Sequence, residues 1–288
     1  MTINYNNLLA LKLEPFVQTV AAKDAILYAL GVGVGGEISE QERELPFYYE
    51  EKLKFLPTFS TVIAYPGVWI ARPETGIAWK HCLNGEYVVT FHRPPRIGEE
   101  IEGRVRITEA IDRGPGKGAL IYNTREVRER RNGDLICVVK QTHFARADGG
   151  FGGPSGPVRQ PQTIPDAAAD MYCDIPIPSQ AALIYRWCGD PNPLHIDFDV
   201  AREAGFQRPI LHGGATYGTA GLAALKMLCN HVPERLKQLD VRFSQPVYPG
   251  DTIRTEIWKL GAGKAALRAT ALERKTVVLN NGYVEYES

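Results

Sequence analysis

No surplus of charge marks this chain: lysine plus arginine and aspartate plus glutamate each number 33 in 288 residues. That balance gives no electrostatic ground for a nucleic-acid partner. Cysteine is scarce and unpatterned. Cys82, Cys137, Cys173, Cys188 and Cys229 are scattered, odd in number and never spaced as CxxC. Neither a zinc site nor a disulfide framework is expected; reduced thiols inside the cell are. No apolar run reaches ~18 residues, so no membrane span is expected. Met1–Pro15 lacks the basic-then-apolar layout of a secretory leader, and Val284–Ser288 is neither a peroxisomal nor a retention tail. The expectation is a cytoplasmic protein. What is present, 44% hydrophobic and 23% charged residues, is the composition of a globular chain long enough for two ordinary domains or one large one.

Glycine and proline are concentrated where the chain divides. Asp148-Gly-Gly-Phe-Gly-Gly-Pro-Ser-Gly-Pro157 runs on to about Asp166 without the periodicity of helix or strand. The predicted organisation is an N-terminal unit at 1–150, a linker at 151–166 and a C-terminal unit at 167–288. The two units echo each other. Ala25-Ile-Leu-Tyr28 leads into Ala29-Leu-Gly31 as Ala182-Leu-Ile-Tyr185 leads into Arg186-Trp-Cys-Gly189. A proline four residues before a Gly-acid pair opens a strand at Gly98-Glu99 and again at Gly250-Asp251. Tyr28 and Gly98 are 70 positions apart, Tyr185 and Gly250 65, which favours an internal duplication.

Beyond each Gly-acid turn, strand patterns follow: Ile101–Ala110, Gly118–Glu129 and Leu135–Phe144, then Ile253–Leu260, Lys264–Arg274 and Val277–Glu287. Asn280-Asn-Gly282 predicts a kink. Gly214–Leu228 is small or apolar on most faces and predicts a helix enclosed by sheet. Val200–Gly205 predicts a short helix capped by Asp199. Three antiparallel strands per unit, with a buried helix ahead of the second set, predict an α+β fold of sheets wrapping helices.

Chemistry concentrates in one stretch, Tyr185-Arg-Trp-Cys-Gly-Asp-Pro-Asn-Pro-Leu-His-Ile-Asp197, followed by Arg208-Pro-Ile-Leu-His-Gly-Gly214. Asp190, Asn192 and His195 are held between Pro191 and Pro193, which stiffen the backbone into an extended loop. Acid and imidazole fixed within reach of each other suit proton transfer. Gly213-Gly214, opening the apolar helix, offers bare N–H groups to developing negative charge. On these residues alone, an Asx turn with a structural histidine is an equal reading. His212 reads as a structural histidine holding the glycine turn. Aligned without gaps on the paired tyrosines, the first unit has Gly33 at the Asp190 position and Ile38 at the His195 position, so it lacks acid and base.

Other motifs fall away. Gly31-Val-Gly-Val-Gly-Gly36 fits GxGxxG but follows a helical pattern, not a strand. Gly153-Pro-Ser155-Gly-Pro157 misses GxSxG because proline stands where the second glycine belongs. His81, His92, His143 and His231 have no ligand spacing, and Arg125–Arg131 reads as a solvated strand-and-turn face or, as the rival reading, a phosphate patch.

The YRWCGDPNPLHID, PILHGGATYG and RFSQPVYPGDTIRTEIWK segments resemble the (R)-specific enoyl-CoA hydratases of the MaoC-like, double hot-dog type. KDAILYALGVG, LPTFSTVIAYPG, NGEYVVTFHRPPRIGE and IDRGPGKGA sit in the family's order too, so the likeness covers about Lys23 to Val284. The resemblance implies two tandem hot-dog repeats and reversible addition of water to a trans-2-enoyl-CoA, giving the (3R)-3-hydroxyacyl-CoA. It implies no metal and no organic cofactor, coenzyme A being part of the substrate. The family's acid, histidine and oxyanion glycine fall on Asp190, His195 and Gly213, with Asn192 fixing the loop or a substrate carbonyl. Contacts to the coenzyme are implied at Asn84, Gly85, Arg113 and Phe243, the acyl chain in the N-terminal unit, and a homodimer. Trp187-Cys188 and Phe198 depart from the pattern and bear on acyl preference. Rival readings are a dehydratase for acyl-carrier-protein, branched or dicarboxylic substrates, a thioesterase, and a non-catalytic acyl-CoA-binding module. The acid–base pair argues against the last two.

Overall fold

The computed structural model describes Thr2–Glu287. The chain forms α1 (Tyr5–Ala10), β1 (Phe16–Thr19), α2 (Ala22–Gly31), α3 (Gln41–Glu44), β2 (Cys82–Phe91), β3 (Glu100–Asp112), β4 (Ala119–Glu129) and β5 (Leu135–Ala145). Then follow β6 (Met171–Pro176), α4 (Ala181–Tyr185), α5 (Phe198–Glu203), α6 (Gly213–Cys229), β7 (Leu236–Phe243), β8 (Thr252–Gly261), β9 (Lys264–Ala271) and β10 (Thr276–Tyr286). All ten strands join one antiparallel sheet in the order β1-β3-β4-β5-β2-β7-β10-β9-β8-β6. Read outward from the β2–β7 seam, each half gives the same succession of strands. This is a double hot-dog fold.

Local chemistry supports the repeat. Gly98 and Gly250 both take left-handed φ (79° and 97°) at their turns. Their N–H groups donate to Val20 O at 2.8 Å and Ile177 O at 3.0 Å, each carbonyl eight residues before its unit's tyrosine. Tyr28 and Tyr185 meet in the core with ring centroids 5.7 Å apart. One detail of the alignment shifts. The helical runs after the tyrosines end on left-handed glycines, Gly33 (φ 105°) and Gly189 (φ 111°), so Val34 rather than Gly33 stands at the Asp190 position. Neither ionises, and the first half still lacks the acid.

The six strands read from sequence are present, within a few residues at their ends. The four others are the edge strands β1 and β6 and the seam pair β2 and β7. The seam breaks apolar alternation because it carries charge. Glu86 pairs with Arg242 across it, and Arg159 of the linker reaches the buried Asp240 at 2.6 Å. Arg242 also donates to Arg159 O at 2.8 Å, and Asn281 to Gln162 O at 2.7 Å, so the irregular linker is pinned along the sheet.

The predicted buried helix is α6, 17 residues long, ended by Asn230 in the left-handed region (φ 47°). It lies in the main core with residues of both halves around it. In α5 the cap differs from the sequence reading. Asp197, not Asp199, accepts from Asp199 N (2.8 Å) and Val200 N (3.2 Å), because the helix starts two residues earlier, at Phe198. The bends at Asn280–Gly282 are bulges against both neighbouring strands. Among the described residues no helix is long and apolar enough to cross a membrane.

Among the described residues the first half has no counterpart of α6. Its place is taken by one-turn 3-10 segments, among them Pro57–Thr61, which packs on α6. Here the arginine cluster departs from expectation. Arg125 is buried, and its guanidinium donates to the carbonyls of Ile63 (2.7 Å), Ser60 (3.0 Å) and Thr61 (2.7 Å). Irregular backbone cannot satisfy its own carbonyls, so a side chain supplies the donors.

Candidate active site

Gly189 turns the chain out of α4 and its 3-10 extension at Arg186–Cys188. Asp190 Oδ1 then accepts from Asn192 N (3.2 Å), and Asn192 Oδ1 from Leu194 N (3.1 Å), capping the single 3-10 turn Pro193–His195. The loop is thus extended as far as Asn192 and helical beyond it, which swings His195 back toward Asp190. The Asx turn is real, and it is the frame that aims the acid and the imidazole. Asn192 holds the loop.

His195 is buried, and its Nδ1 donates to Ile210 O at 2.8 Å. That bond fixes the tautomer and leaves Nε2 as a lone pair. Burial pushes its pKa below the usual 6.5, against the pull of the Asp190 charge and the Ile210 carbonyl. It is therefore neutral and basic at neutral pH. His212 stacks on it with centroids 3.7 Å apart and reaches Asp190 O through Nε2 at 3.1 Å. Burial, helped by His195, holds His212 well below the ordinary range. Polar atoms of Asp190, His195 and His212 lie within 4.8 Å of one another. The imidazole planes stack 28° from parallel, which suits ring packing rather than convergence on one tetrahedral ion.

His212 is also the N-cap of α6. Ala215 and Thr216 donate to its carbonyl, but the N–H groups of Gly213 and Gly214 find no acceptor among the described residues. A side chain at Gly214 would collide with Tyr185 Oη, 2.4 Å from where its Cβ would stand. The helix start is bare amide because nothing larger fits.

All eight residues singled out from sequence line one cavity of about 780 Å3: Asp190, Asn192, His195, Gly213, Asn84, Gly85, Arg113 and Phe243. Trp187, Cys188 and Phe198 do not line it, and Trp187 and Phe198 point to solvent. The sequence reading missed Arg146 and Gln141, which do line it. Arg146 directly follows β5, two residues ahead of the Gly/Pro-rich joint; Gln141 sits mid-strand with no local signal. Neither Arg113 nor Arg146 has a carboxylate partner among the described residues, whereas Arg242 is spent on Glu86. All five cysteines are free, and burial pushes the Cys188 thiol up to about 12, far from nucleophilic.

The sequence pattern of the MaoC like domain matches residues 159–282, and that of the MFE-2 hydratase 2 N-terminal domain matches 19–147. The probable enoyl-CoA hydratase 2 of Dictyostelium discoideum is 33% identical over 292 residues, covering 98% of this chain and 96% of that one. The chain belongs to the MaoC-like hydratase and dehydratase family. Another relative, the peroxisomal multifunctional enzyme type 2 of Mus musculus, is 33% identical over 95% of this chain, which spans only 37% of that protein. A solved MaoC-like dehydratase from Phytophthora capsici superposes with a TM-score of 0.84 at 28% identity, over 99% of this chain and 98% of that one. In this MaoC-like chain, the acid, the imidazole and the bare helix start all come from the half matched by the MaoC like domain. Asn84, Arg113 and Arg146 come from the other half.

Proposed function

We propose that this protein is an (R)-specific hydro-lyase, adding water reversibly to trans-2-enoyl-CoA to give (3R)-3-hydroxyacyl-CoA. The observation that carries the reading is the meeting of Asp190, the Nε2 side of His195 and the unsatisfied Gly213 N–H in one cavity. The enoyl-CoA hydratase name of the Dictyostelium relative supports it.

A thioester conjugated to C=C is electrophilic at Cβ. A water held between Asp190 and His195 attacks there, forming the Cβ–O bond while the π pair moves onto the thioester oxygen. Burial keeps His195 unprotonated and Nδ1 is occupied, so Nε2 takes the water proton. Asp190, an acceptor with two oxygens, orients the water and relays that proton, which ends on Cα as the enolate collapses. Gly213 N–H stabilises the enolate oxygen; one such donor is worth about 2.7–4 kcal/mol. Dehydration is the same path reversed.

The first half takes the substrate. Val62, Ile70, Leu83 and Leu120 give apolar lining for the acyl chain and pantetheine, while Arg113 and Arg146, without carboxylate partners among the described residues, present positive charge to the coenzyme's phosphates. We assign the chain to the cytoplasm as a homodimer. A solution mass of one 31.9 kDa chain by light scattering would overturn the dimer, and fractionation with an organellar marker would overturn the compartment.

The decisive assay follows the enoyl-thioester absorbance across a series of chain lengths, with product chirality read separately. Loss of that band without free thiol is expected. Release of thiol would make the protein a thioesterase; binding without conversion would make it an acyl-CoA-binding module.

A further inference from the structure

Asn84 sits on an irregularity. Between Asn84 and Glu86 the β2–β5 register slips, so Gly85 is an inserted residue facing no partner. A bulge of this kind bends its strand and redirects a side chain. The Asn84 amide is then locked from one end. Its Oδ1 accepts from Gln141 Nε2 at 2.7 Å, and that nitrogen also lies 3.4 Å from Tyr87 Oη. With the oxygen engaged, Nδ2 is the end left over, and it has no acceptor among the described residues.

Nδ2 points across the seam between the halves to the start of α6. A Cβ placed on Gly213 would stand 2.6 Å from it. By standard bond lengths this puts Asn84 Nδ2 within about 5 Å of Gly213 N, a gap that one oxygen bridges with two ordinary hydrogen bonds. Both donors line the cavity that holds Asp190 and His195.

We propose that Asn84 is a catalytic residue, its Nδ2–H giving the thioester oxygen a second hydrogen bond beside Gly213 N–H, with Gln141 as its positioning residue. The inference rests on the hydratase reading and changes what Asn84 is for. A group that only grips coenzyme A binds ground state and transition state alike and moves KM; a donor to the enolate oxygen strengthens as charge develops and moves kcat. It also explains why the site needs both halves: acid, base and one oxyanion donor come from the second, the other donor from the first.

The test pairs kinetics with spectroscopy on the full-length protein. Hydration of trans-2-butenoyl-CoA is measured for the wild type, Asn84→Ala, Asn84→Asp and Gln141→Leu. The carbonyl stretch of bound butanoyl-CoA, which cannot be hydrated, is read by difference infrared. Asn84→Ala is expected to lower kcat on the order of 100-fold with KM within a few-fold, the scale of one lost oxyanion donor. The bound carbonyl band moves back toward its free position. Asn84→Asp is at least as slow, and Gln141→Leu shows a smaller loss with the same band movement. A raised KM with kcat and carbonyl band unchanged overturns the proposal, in either the Asn84 or the Gln141 variant, so one misfolded variant does not rescue it. If the wild type binds butanoyl-CoA but hydrates no enoyl-CoA, the hydratase reading fails while the band still reports whether Asn84 donates. Failure to bind either thioester overturns both.

Discussion

The two halves share a sheet and differ in what lies on it. At equivalent register, seven residues past Gly98 and Gly250, Val105 faces Arg125 and Ile257 faces Leu267. Both Arg125 and Leu267 are buried. Above Leu267 lies the core around α6, a helix whose carbonyls are met within its own turns, and an aliphatic side chain suffices. Above Arg125 lie one-turn segments whose carbonyls at Ser60, Thr61 and Ile63 have no such supply, and a cation is buried to serve them. Burial lowers its pKa, and no carboxylate among the described residues joins it. Removing a helix from a hot-dog half therefore has a chemical cost that one arginine offsets, and the opened space becomes part of the cleft, lined by Thr61, Val62 and Tyr65.

The largest test of this asymmetry is catalytic. Asp190→Asn and His195→Gln are each expected to lower turnover at least ~100-fold with the fold intact. At the His195-equivalent position of the first half, which the shifted alignment moves from Ile38 to Ser39, Ser39→Ala at an exposed site should change neither rate nor stability. Equal losses in both halves would break the comparison. Next comes Arg125→Leu, which makes the first half like the second. Three buried carbonyls lose their donor, and chemical denaturation should show at least about 3 kcal/mol less stability. A neutral outcome would mean that the segment satisfies itself.

Arg113→Ala and Arg146→Ala sharpen the division of labour. Each is expected to raise KM roughly tenfold, as loss of a charge-assisted hydrogen bond would, with kcat retained and the effect weaker at high salt. A fall in kcat alone would move these residues to the chemistry.

The smallest effect is one of pH. Burial pushes His143 down to about 4 and also lowers His195 and His212. Below 6.5 the unfolded chain takes up protons that the native state refuses until its own lower pKa is reached, so stability falls as pH drops through that window. His143 belongs to the first half, where its ring packs edge-on against Trp69 at 5.5 Å. Replacing it with leucine should remove about 1.4 kcal/mol per pH unit of the slope between pH 6 and 5. An unchanged slope in melting temperature would place the titration elsewhere.

Much of this was legible in the sequence because it is local. Proline on either side of Asn192 announces the stiff loop, small residues announce α6, and the paired Gly-acid turns announce the repeat. What escaped is what depends on distant partners. The seam strands β2 and β7 carry Glu86, Asp240 and Arg242, whose charges are met across the sheet or from the linker, and they do not alternate like strands. Arg125 looked solvated because three of its neighbours in sequence are arginines, while its own side chain turns inward. Gln141 gives no signal until β5 lies beside the Asn84 bulge.

Joining two hot-dog units through the pinned linker has a consequence for how such a protein can change. In a pair of identical subunits every substitution is made twice, and a loop cannot be dismantled at one site without being dismantled at the other. A fused chain is free of that symmetry. One copy can surrender its helix and its proton-handling loop to make room for a long, greasy, triply phosphorylated molecule, while the other keeps the reaction.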